Sequence, residues 1–217
     1  MNFEQLHFSD DDLVAEGRER WIYQSPRHPD LVFKLQKPIE RRELKNDLKS
    51  HFLRTFPQLR YHIVRKEYRA YVSTALKELD SLQSIPVNHL YGFASSNLGL
   101  VQIAEKVSLD TETLGPTLGQ LHRRDQLNDD RLALLNEFVQ ALLRCGIATN
   151  DISAQNIILG MRSGKEVFVA VDGFGDIHLL PLRTYSRRMQ RYYLGKRLTK
   201  VARGLSLRFD PTTFTFH

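Results

Sequence analysis

The sequence contains one cysteine and no apolar run long enough to cross a membrane. Cys145 has no second cysteine to pair with in the 217-residue chain, which excludes an internal disulfide and suits a reducing compartment. A membrane-spanning helix needs about 20 apolar residues, and the apolar runs here are much shorter. The acidic start, MNFEQLHFSDDD, lacks the basic and then apolar segments of a secretion signal. We therefore expect a cytoplasmic protein with no transmembrane segment.

Carboxylates are missing between Arg183 and Arg208, although this segment carries nine arginines and lysines. The preferred interpretation is a last helix that packs on the core and exposes a basic face. The alternative is a surface for an acidic partner, such as anionic lipid, nucleic acid or an acidic protein. The apolar stripe predicted for this helix consists of Tyr185, Met189, Tyr192 or Tyr193, Leu198, Ala202 and Leu205.

The first half of the chain is rich in strand-forming residues. Residues 12–35 predict three short strands, and residues 90–93 and 98–103 predict two more around a polar turn. One helix interrupts the strands, because apolar side chains recur at a spacing of three and four residues from Lys66 onward. The predicted stripe of this helix is Tyr68, Tyr71, Val72, Ala75, Leu76 and Leu79.

The second half contains a helix followed by a hairpin. The helix is predicted to begin at Asn128 or Asp129, either of which can cap it, and to end at Gly146. Residues 157–159 and 167–171 predict the two strands of the hairpin. This order indicates an α+β protein with two lobes: a small β-rich N-lobe, residues 1–103, and a minimal, mostly helical C-lobe, residues 104–217. The polar segment 104–115 would link them.

Lys34 stands inside the otherwise apolar strand Leu31-Val32-Phe33-Lys34-Leu35. A lysine is costly to bury unless an anion meets it, so a carboxylate or phosphate partner is plausible chemistry here. The alternative is an edge strand whose lysine extends its stem to reach water. Glu67, at the start of the predicted helix, can supply the carboxylate, or the helix dipole alone can stabilise it. Glu43 is a rival, although it follows Lys34 by only nine residues.

Asp151 and Asn156 are five positions apart on a polar loop before the hairpin. Phosphoryl transfer needs a carboxylate that orients the attacking hydroxyl, and oxygen ligands that hold magnesium against the phosphates. The pair can supply both, although the same residue types also form ordinary turns. Asp172 ends the second hairpin strand and precedes Gly-Phe-Gly, so it is either another magnesium ligand or a solvated turn residue.

The order of these fragments is more informative than any one of them. A strand lysine, a helix glutamate, Asp-x4-Asn and a hairpin leading to Asp-Gly-Phe-Gly follow the order of the protein kinase motifs. The sequence resembles the bacterial YrbL-like family of PhoP regulatory network proteins, small members of the protein-kinase-like superfamily. The resemblance covers about residues 10 to 205, and it rests on residues 16–23, 28–30, 31–34, 66–68, 150–156 and 172–176.

The resemblance implies a bilobal protein-kinase-like fold that binds ATP and Mg²⁺. Lys34 would contact the α and β phosphates and pair with Glu67, while Asp151 would be the catalytic base. Asn156 and Asp172 would hold the magnesium. The remaining implied contacts are to the phosphates from residues 16–20, including Gly17 and Arg18, and to adenine from residues 103–106, including Ile103 and Glu105.

Three features depart from the kinase pattern. The phosphate loop has only Gly17 where three glycines are usual, so Arg18 and Arg20 would supply charge instead. Thr149-Asn150 replaces the usual His-Arg, which argues against control by a phosphorylated activation loop. About 40 residues follow Asp176, so we expect no helices for binding peptide substrates.

Two functions fit this pattern. The first is an ATP-dependent phosphotransferase that moves the γ-phosphoryl group to a hydroxyl of an unknown acceptor. Protein Ser/Thr, a sugar, a lipid head group and a small molecule all remain open, because acceptor surfaces vary independently of phosphate-binding residues. The second is a pseudokinase, a nucleotide-sensitive binding module that holds a partner on its basic C-terminal surface.

Overall fold

The computed structural model describes residues 5–38, 61–110, 112–147, 152–174 and 186–217. The chain divides into two compact units, Met1–Arg65 with His89–Lys106, and Lys66–Asn88 with Val107–His217. The boundary between the units at Lys106 and Val107 lies within segment 104–115, which was expected to link two lobes. The lobe limits expected from the sequence, 1–103 and 104–217, stay a prediction. No helix in the described ranges is both long enough and apolar enough to cross a bilayer.

The first unit is built on a five-stranded antiparallel sheet with the order β1-β2-β3-β5-β4. The predicted strands are confirmed, although the third begins at His28 rather than Leu31 and so includes the exposed Pro29. The strands are β1 (Leu13–Glu16), β2 (Arg20–Ser25), β3 (His28–Gln36), β4 (Leu90–Ser96) and β5 (Gly99–Glu105).

Side chains alternate between the two faces of this sheet because a strand repeats every two residues. One face carries the apolar core of the unit, which is completed by Phe8 from the segment before β1. The Phe8 ring lies 5.1 Å from the ring of Tyr23 and 5.2 Å from that of Phe33. Burial of each such side chain contributes about 1.5–3 kcal/mol. The other sheet residues of this core are Leu35, Ala94, Val101 and Ile103.

Helix α1 (His62–Ala75) begins four residues before its predicted start, which changes the interpretation of Glu67. Glu67 is the sixth helical residue and only 2% exposed. The stabilising effect of a helix dipole falls off within the first turn, so it does not explain this carboxylate. The predicted apolar stripe is wrong at its end, because the helix stops at Ala75 and leaves Leu76 and Leu79 each 64% exposed. It is also wrong at Val72, which lies on an exposed side of the helix.

Among its described residues, the second unit contains three further α-helices and two hairpins. The predicted ends of α3 are confirmed: Asn128 accepts a hydrogen bond from the Arg131 backbone N–H at 3.0 Å, and Gly146 is left-handed with φ 66°. The predicted α+β class is confirmed by a β-rich N-terminal sheet and a mostly helical C-terminal part. These elements are α2 (Leu118–Arg123), α3 (Asp129–Cys145), β6 (Ile157–Arg162), β7 (Lys165–Ala170), α4 (Arg187–Gly204), β8 (Phe209–Asp210) and β9 (Thr215–Phe216).

Helix α4 buries one row of side chains and exposes its cations, as the preferred interpretation expected. Leu198, Ala202 and Leu205 are buried as predicted, and the row also includes Gln190, Leu194 and Val201, which the prediction omitted. The prediction left open whether Tyr192 or Tyr193 belongs to this row. Tyr192 is 66% exposed, so the half-buried Tyr193 is the one that belongs to it. Tyr185 and Arg183 lie outside the described residues.

The C-terminal hairpin β8–β9 ties α3 to α4. Asn136 on α3 both donates to the Phe216 carbonyl at 3.1 Å and accepts from the Phe216 N–H at 2.7 Å. Arg191 on α4 places its guanidinium 4.5 Å from the centre of the Phe214 ring. The same ring covers Gly195, where a Cβ would stand 3.5 Å from it. Two helices of the unit are therefore held by one short hairpin.

Arg162, the last residue of β6, forms hydrogen bonds with the segment before residue 88. It is only 8% exposed, and its guanidinium donates to the carbonyls of Ile85 at 2.5 Å and Val87 at 2.9 Å. The strands predicted from the sequence, residues 157–159 and 167–171, leave this arginine between them, whereas it is the last residue of β6. A buried charge of this kind is tolerated only when hydrogen bonds replace its hydration.

We expect Arg162→Met to destabilise the protein by about 3 kcal/mol, because two buried carbonyls lose charged donors. Chemical denaturation with two independent spectroscopic probes measures this change. Arg131→Met is the matched control: its 3.5 Å ion pair with Glu166 is partly exposed and should contribute less than about 1 kcal/mol. Equal losses in the two variants would contradict the role assigned to Arg162.

Burial raises the pKa of the Cys145 thiol above its ordinary value, and the charge of Glu78 adds to the shift. The folded state therefore holds this proton more tightly than the unfolded chain does. The resulting stabilisation is present below the unfolded pKa and is lost as pH rises through the folded pKa.

We expect Cys145 to react with a thiol reagent at pH 8 at least about tenfold more slowly in the native protein than in urea, since the thiolate is the reactive form and the side chain is buried. Absorbance-monitored disulfide exchange provides both rates. Similar rates in the two states would show that the thiol is neither protonated nor protected.

Candidate functional site

Lys34 lies in the middle of the five-stranded sheet. Its strand, β3, has β2 on one side and β5 on the other, and the residue is 7% exposed. The alternative of an edge-strand lysine reaching water is therefore wrong. In the antiparallel register Lys34 pairs with Ile22 of β2 and with Gln102 of β5. Residues paired in this way project from the same face, which is opposite to the apolar core.

This face carries a group of buried polar side chains, which we call the polar row: Arg20, Lys34, Gln36 and Gln102. Gln36 is 5% exposed and Gln102 is 2% exposed, and neither amide has a hydrogen-bond partner for its oxygen or its nitrogen among the described residues. A buried polar group left in this state costs about 1–3 kcal/mol. The alternation of side chains could have identified both glutamines from the sequence. Gln36 lies two residues after Lys34 in LVFKLQ, and Gln102 lies between the apolar Val101 and Ile103 in LVQIAE.

The predicted phosphate loop is a tight turn between β1 and β2. The Gly17 N–H donates to the Arg20 carbonyl at 2.8 Å, and the Lys37 N–H donates to the Glu19 carbonyl at 2.9 Å. Gly17 and Arg18 are exposed at the turn, whereas Arg20 is 5% exposed in the polar row. The Gly17 N–H is thus already used inside the turn. Phosphate contacts by Gly17 and Arg18 stay a prediction.

A cluster that the sequence did not reveal holds this loop at both ends. Lys37, after β3, forms an ion pair with Glu16, before the turn. Trp21 donates its indole N–H to the same Glu16 oxygen at 3.2 Å, and the Lys37 ammonium lies 5.7 Å from the centre of the Trp21 ring. Lys37 is only 9% exposed in its side chain, so solvent weakens this pairing less than it would at an open surface.

We expect Glu16→Gln to loosen the loop, since the ammonium of Lys37 loses its charged partner. Amide hydrogen exchange at Gly17 and Lys37 should become about three- to tenfold faster, equivalent to roughly 0.7–1.4 kcal/mol. Glu19→Gln, in the same turn, is the control and should leave both rates close to wild type. Unchanged exchange in Glu16→Gln would show that the turn does not depend on this ion pair.

The predicted adenine-contacting segment, residues 103–106, consists of the end of β5 and the residue after it. The Glu105 N–H donates to the His89 carbonyl at 2.8 Å, and the Glu105 carboxylate accepts from the His89 N–H at 2.9 Å. The Lys106 N–H donates to the Asp30 carbonyl at 2.9 Å. Ile103 points into the apolar core, whereas its fully buried neighbour Ala104 shares the face of Lys34. Adenine contacts by Ile103 and Glu105 stay a prediction.

In the second unit, Asn156 and Asp172 flank the open end of the β6–β7 hairpin. The Val171 N–H donates to the Asn156 carbonyl at 2.9 Å, which continues the antiparallel register of Ile157 with Ala170. Asp172 follows directly, and one of its oxygens accepts from the Gly173 N–H at 2.7 Å. The pairing therefore places Asn156 opposite the residue that precedes Asp172.

Glycines shape both ends of this arrangement. Gly173 adopts φ 77°, a conformation that strains other residues, and it turns the chain immediately after Asp172. On the other side, the Gly119 N–H of α2 donates to the Ala154 carbonyl at 2.9 Å, and a Cβ at Gly119 would lie 2.6 Å from the Gln155 amide nitrogen. The loop that leads to Asn156 therefore rests directly on α2.

An amide oxygen and a carboxylate are a suitable pair of magnesium ligands, because Mg²⁺ usually takes one or two protein carboxylates and completes its shell with water and substrate phosphates. No group of three or more His, Cys, Asp or Glu residues suited to a metal occurs in the described part of the chain. The pair Asn156 and Asp172 thus fits a metal shared with a ligand rather than one enclosed by protein.

Several predicted site residues lie outside the described residues. These are the catalytic candidate Asp151, the preceding Thr149-Asn150, the rival Glu43, and Gly175-Asp176. Lys34 belongs to the first unit and Glu67 to the second, so their ion pair stays a prediction.

These features define a mixed α+β protein with a lysine buried in its N-terminal sheet, and with an amide and a carboxylate at the open end of the β6–β7 hairpin. A family model described as "PhoP regulatory network protein YrbL" matches residues 6–206. The chain belongs to this family, which confirms the family indicated by the sequence resemblance.

Solved structures of WbdD resemble the chain at low sequence identity. WbdD in complex with the kinase inhibitor LY294002 gives a TM-score of 0.43 with 14% identity over 73% of this chain and 32% of that chain. A 2.2 Å crystal structure of WbdD gives 0.44 with 13% identity over 82% and 34%. A further structure, described as the bifunctional kinase-methyltransferase WbdD, gives 0.42 with 10% identity over 82% and 33%.

The chain spans about a third of each of these WbdD chains. A search of the curated proteins finds no match.

Proposed function

We propose that the protein is an ATP-dependent phosphotransferase that uses magnesium. The observation that carries the proposal is the Val171–Asn156 backbone bond, because Asn156 and Asp172, the residue after Val171, then flank the same end of the β6–β7 hairpin. The burial of Lys34 on the polar face of a central strand supports it, because a buried lysine requires an anion. Membership of the YrbL family and the order of the sequence motifs also support a phosphotransferase.

Each residue has a separate role in this proposal. Lys34 and Arg18 bind phosphate oxygens, Glu67 fixes the position of the lysine, and the backbone near Ile103 and Glu105 contacts adenine. Asn156 and Asp172 hold magnesium, which neutralises charge on the phosphates when it is bound. Asp151 orients the acceptor hydroxyl and accepts its proton as the acceptor oxygen bonds to the γ phosphorus. The bond from that phosphorus to the bridging oxygen breaks, and ADP leaves.

A nucleotide-sensitive binding module without transfer activity is the second candidate. It is favoured by the Gly17 N–H, which bonds to the Arg20 carbonyl and so is occupied inside the loop. A loop with a single glycine and an occupied N–H offers fewer backbone donors to phosphates than a loop with three glycines. The two candidates differ in turnover, and both require nucleotide binding.

We expect Mg²⁺-ATP at 100 times its dissociation constant to stabilise the wild-type protein by about 2.7 kcal/mol. For a chain of this size, this corresponds to a rise in melting temperature of roughly 5–10 °C. Asp172→Asn should lose the magnesium-dependent part of the shift. Asp130→Asn, an exposed aspartate in the first turn of α3, is the control and should behave as wild type.

Transfer is tested with γ-labelled ATP and cell extract. Asp151→Asn should retain the thermal shift but lower transfer by about 10²–10⁴-fold, the usual contribution of a general base. Equal labelling by wild type, Asp151→Asn and Asp172→Asn would remove the enzymatic proposal and leave the binding module. The absence of any thermal shift with ATP would remove both candidates.

A further inference from the structure

The polar row of the first unit contains two amides that the functional proposal does not use. Gln36 and Gln102 are more than nine-tenths buried, and no described residue forms a hydrogen bond with either amide group. Both lie on the face of Lys34: Gln102 is its direct partner across β5, and Gln36 is two positions further along β3. Their Cβ atoms therefore stand about 5–7 Å from that of Lys34.

The side chains of the polar row are suited to a ligand that is rich in hydrogen-bond acceptors. Each glutamine offers two amide N–H donors, and the neighbouring Lys34 and Arg20 carry positive charge. Phosphate oxygens accept such bonds, and charge makes these bonds shorter and stronger than neutral ones. An amide that donates to a phosphate through its nitrogen can also accept from Lys34 or Arg20 through its oxygen, so both of its polar atoms gain partners.

The phosphate loop explains why such donors are useful here. A loop with several glycines binds phosphates through backbone N–H groups, but this loop has only Gly17, whose N–H donates to the Arg20 carbonyl. Donors for a phosphate chain must then come from side chains. The two glutamines are placed on rigid strands at the sheet position where the charge is concentrated.

We propose that Gln36 and Gln102 bind the phosphate chain of the nucleotide, as side-chain donors that compensate for the missing loop glycines. The inference rests on the proposed function in one respect, namely that the ligand of this face is a nucleoside triphosphate. It goes beyond that function because it assigns phosphate recognition to two residues outside the kinase motifs.

The test compares Gln36→Leu, Gln102→Leu and the double variant with wild type. Binding of Mg²⁺-ATP and of inorganic tripolyphosphate is measured by titration calorimetry, and the melting temperature is measured without ligand. We expect each single variant to bind both probes about tenfold more weakly, because each loses a hydrogen bond to a charged group. We expect the ligand-free melting temperature to remain equal or to rise, since leucine replaces a buried amide that had no partner.

Gln190→Leu is the matched control. Gln190 is 7% exposed, its amide nitrogen also lacks a partner among the described residues, and it lies on α4 in the other unit. This variant should show the same neutral or positive effect on stability and unchanged affinity for both probes. Gln102→Glu is a second check: like-charge repulsion should weaken tripolyphosphate binding more than the leucine substitution does.

The outcomes separate this inference from the proposed function. Wild-type affinity for both probes in the double variant would overturn the inference and leave the proposed function intact. A ligand-free melting temperature that falls well below that of Gln190→Leu would also overturn it, because the amides would then belong to an internal network. Binding of tripolyphosphate but not of ATP by the wild type would overturn the proposed function and the inference together, because the ligand of this face would then not be a nucleotide. Binding of neither probe by wild type would overturn both.

Discussion

The antiparallel register around Lys34 is the constraint on which the first unit depends. Because side chains alternate along a strand, pairing Lys34 with Ile22 and Gln102 places the four residues of the polar row on one side of the sheet. The same register places Phe33 and Ile103 in the apolar core on the other side. A slip of one residue would exchange the two sets. The irregularities in strand pairing lie nearer the strand ends, outside the regular run from Leu31 to Leu35 of β3 with β5.

In the second unit, the pairing of β6 with β7 likewise determines where the candidate site residues lie, with fewer residues involved. The β6–β7 hairpin is regular from Ile157 to Arg162, and its pairing extends by one bond to Asn156 and Val171. Local hydrogen bonding is therefore sufficient to bring the backbone of Asn156 opposite the residue that precedes Asp172. Arg162, at the closed end of the same hairpin, binds the carbonyls of Ile85 and Val87. One end of the hairpin thus carries candidate metal ligands, and the other is anchored to the unit.

Much of the fold and part of the candidate site could be predicted because the relevant signals are local. Strand alternation, the Asn128 cap and the terminating Gly146 act within a few residues, and each was identified correctly. The edge-strand reading of Lys34 and the dipole reading of Glu67 failed because strand order and the true start of α1 are not encoded in a short window. Arg162 and the Glu16–Lys37 pair were missed because their partners are distant in sequence.

The C-terminal hairpin has a consequence for proteolysis. His217 exchanges two backbone hydrogen bonds with Arg208, which extends the pairing of β8 with β9. The Phe214 ring contacts α4, and the Phe216 backbone bonds to Asn136 of α3. The turn between the two strands is exposed at Thr212, so an endoprotease could cut there. Such a cut would separate the strands and weaken the connection between the two helices.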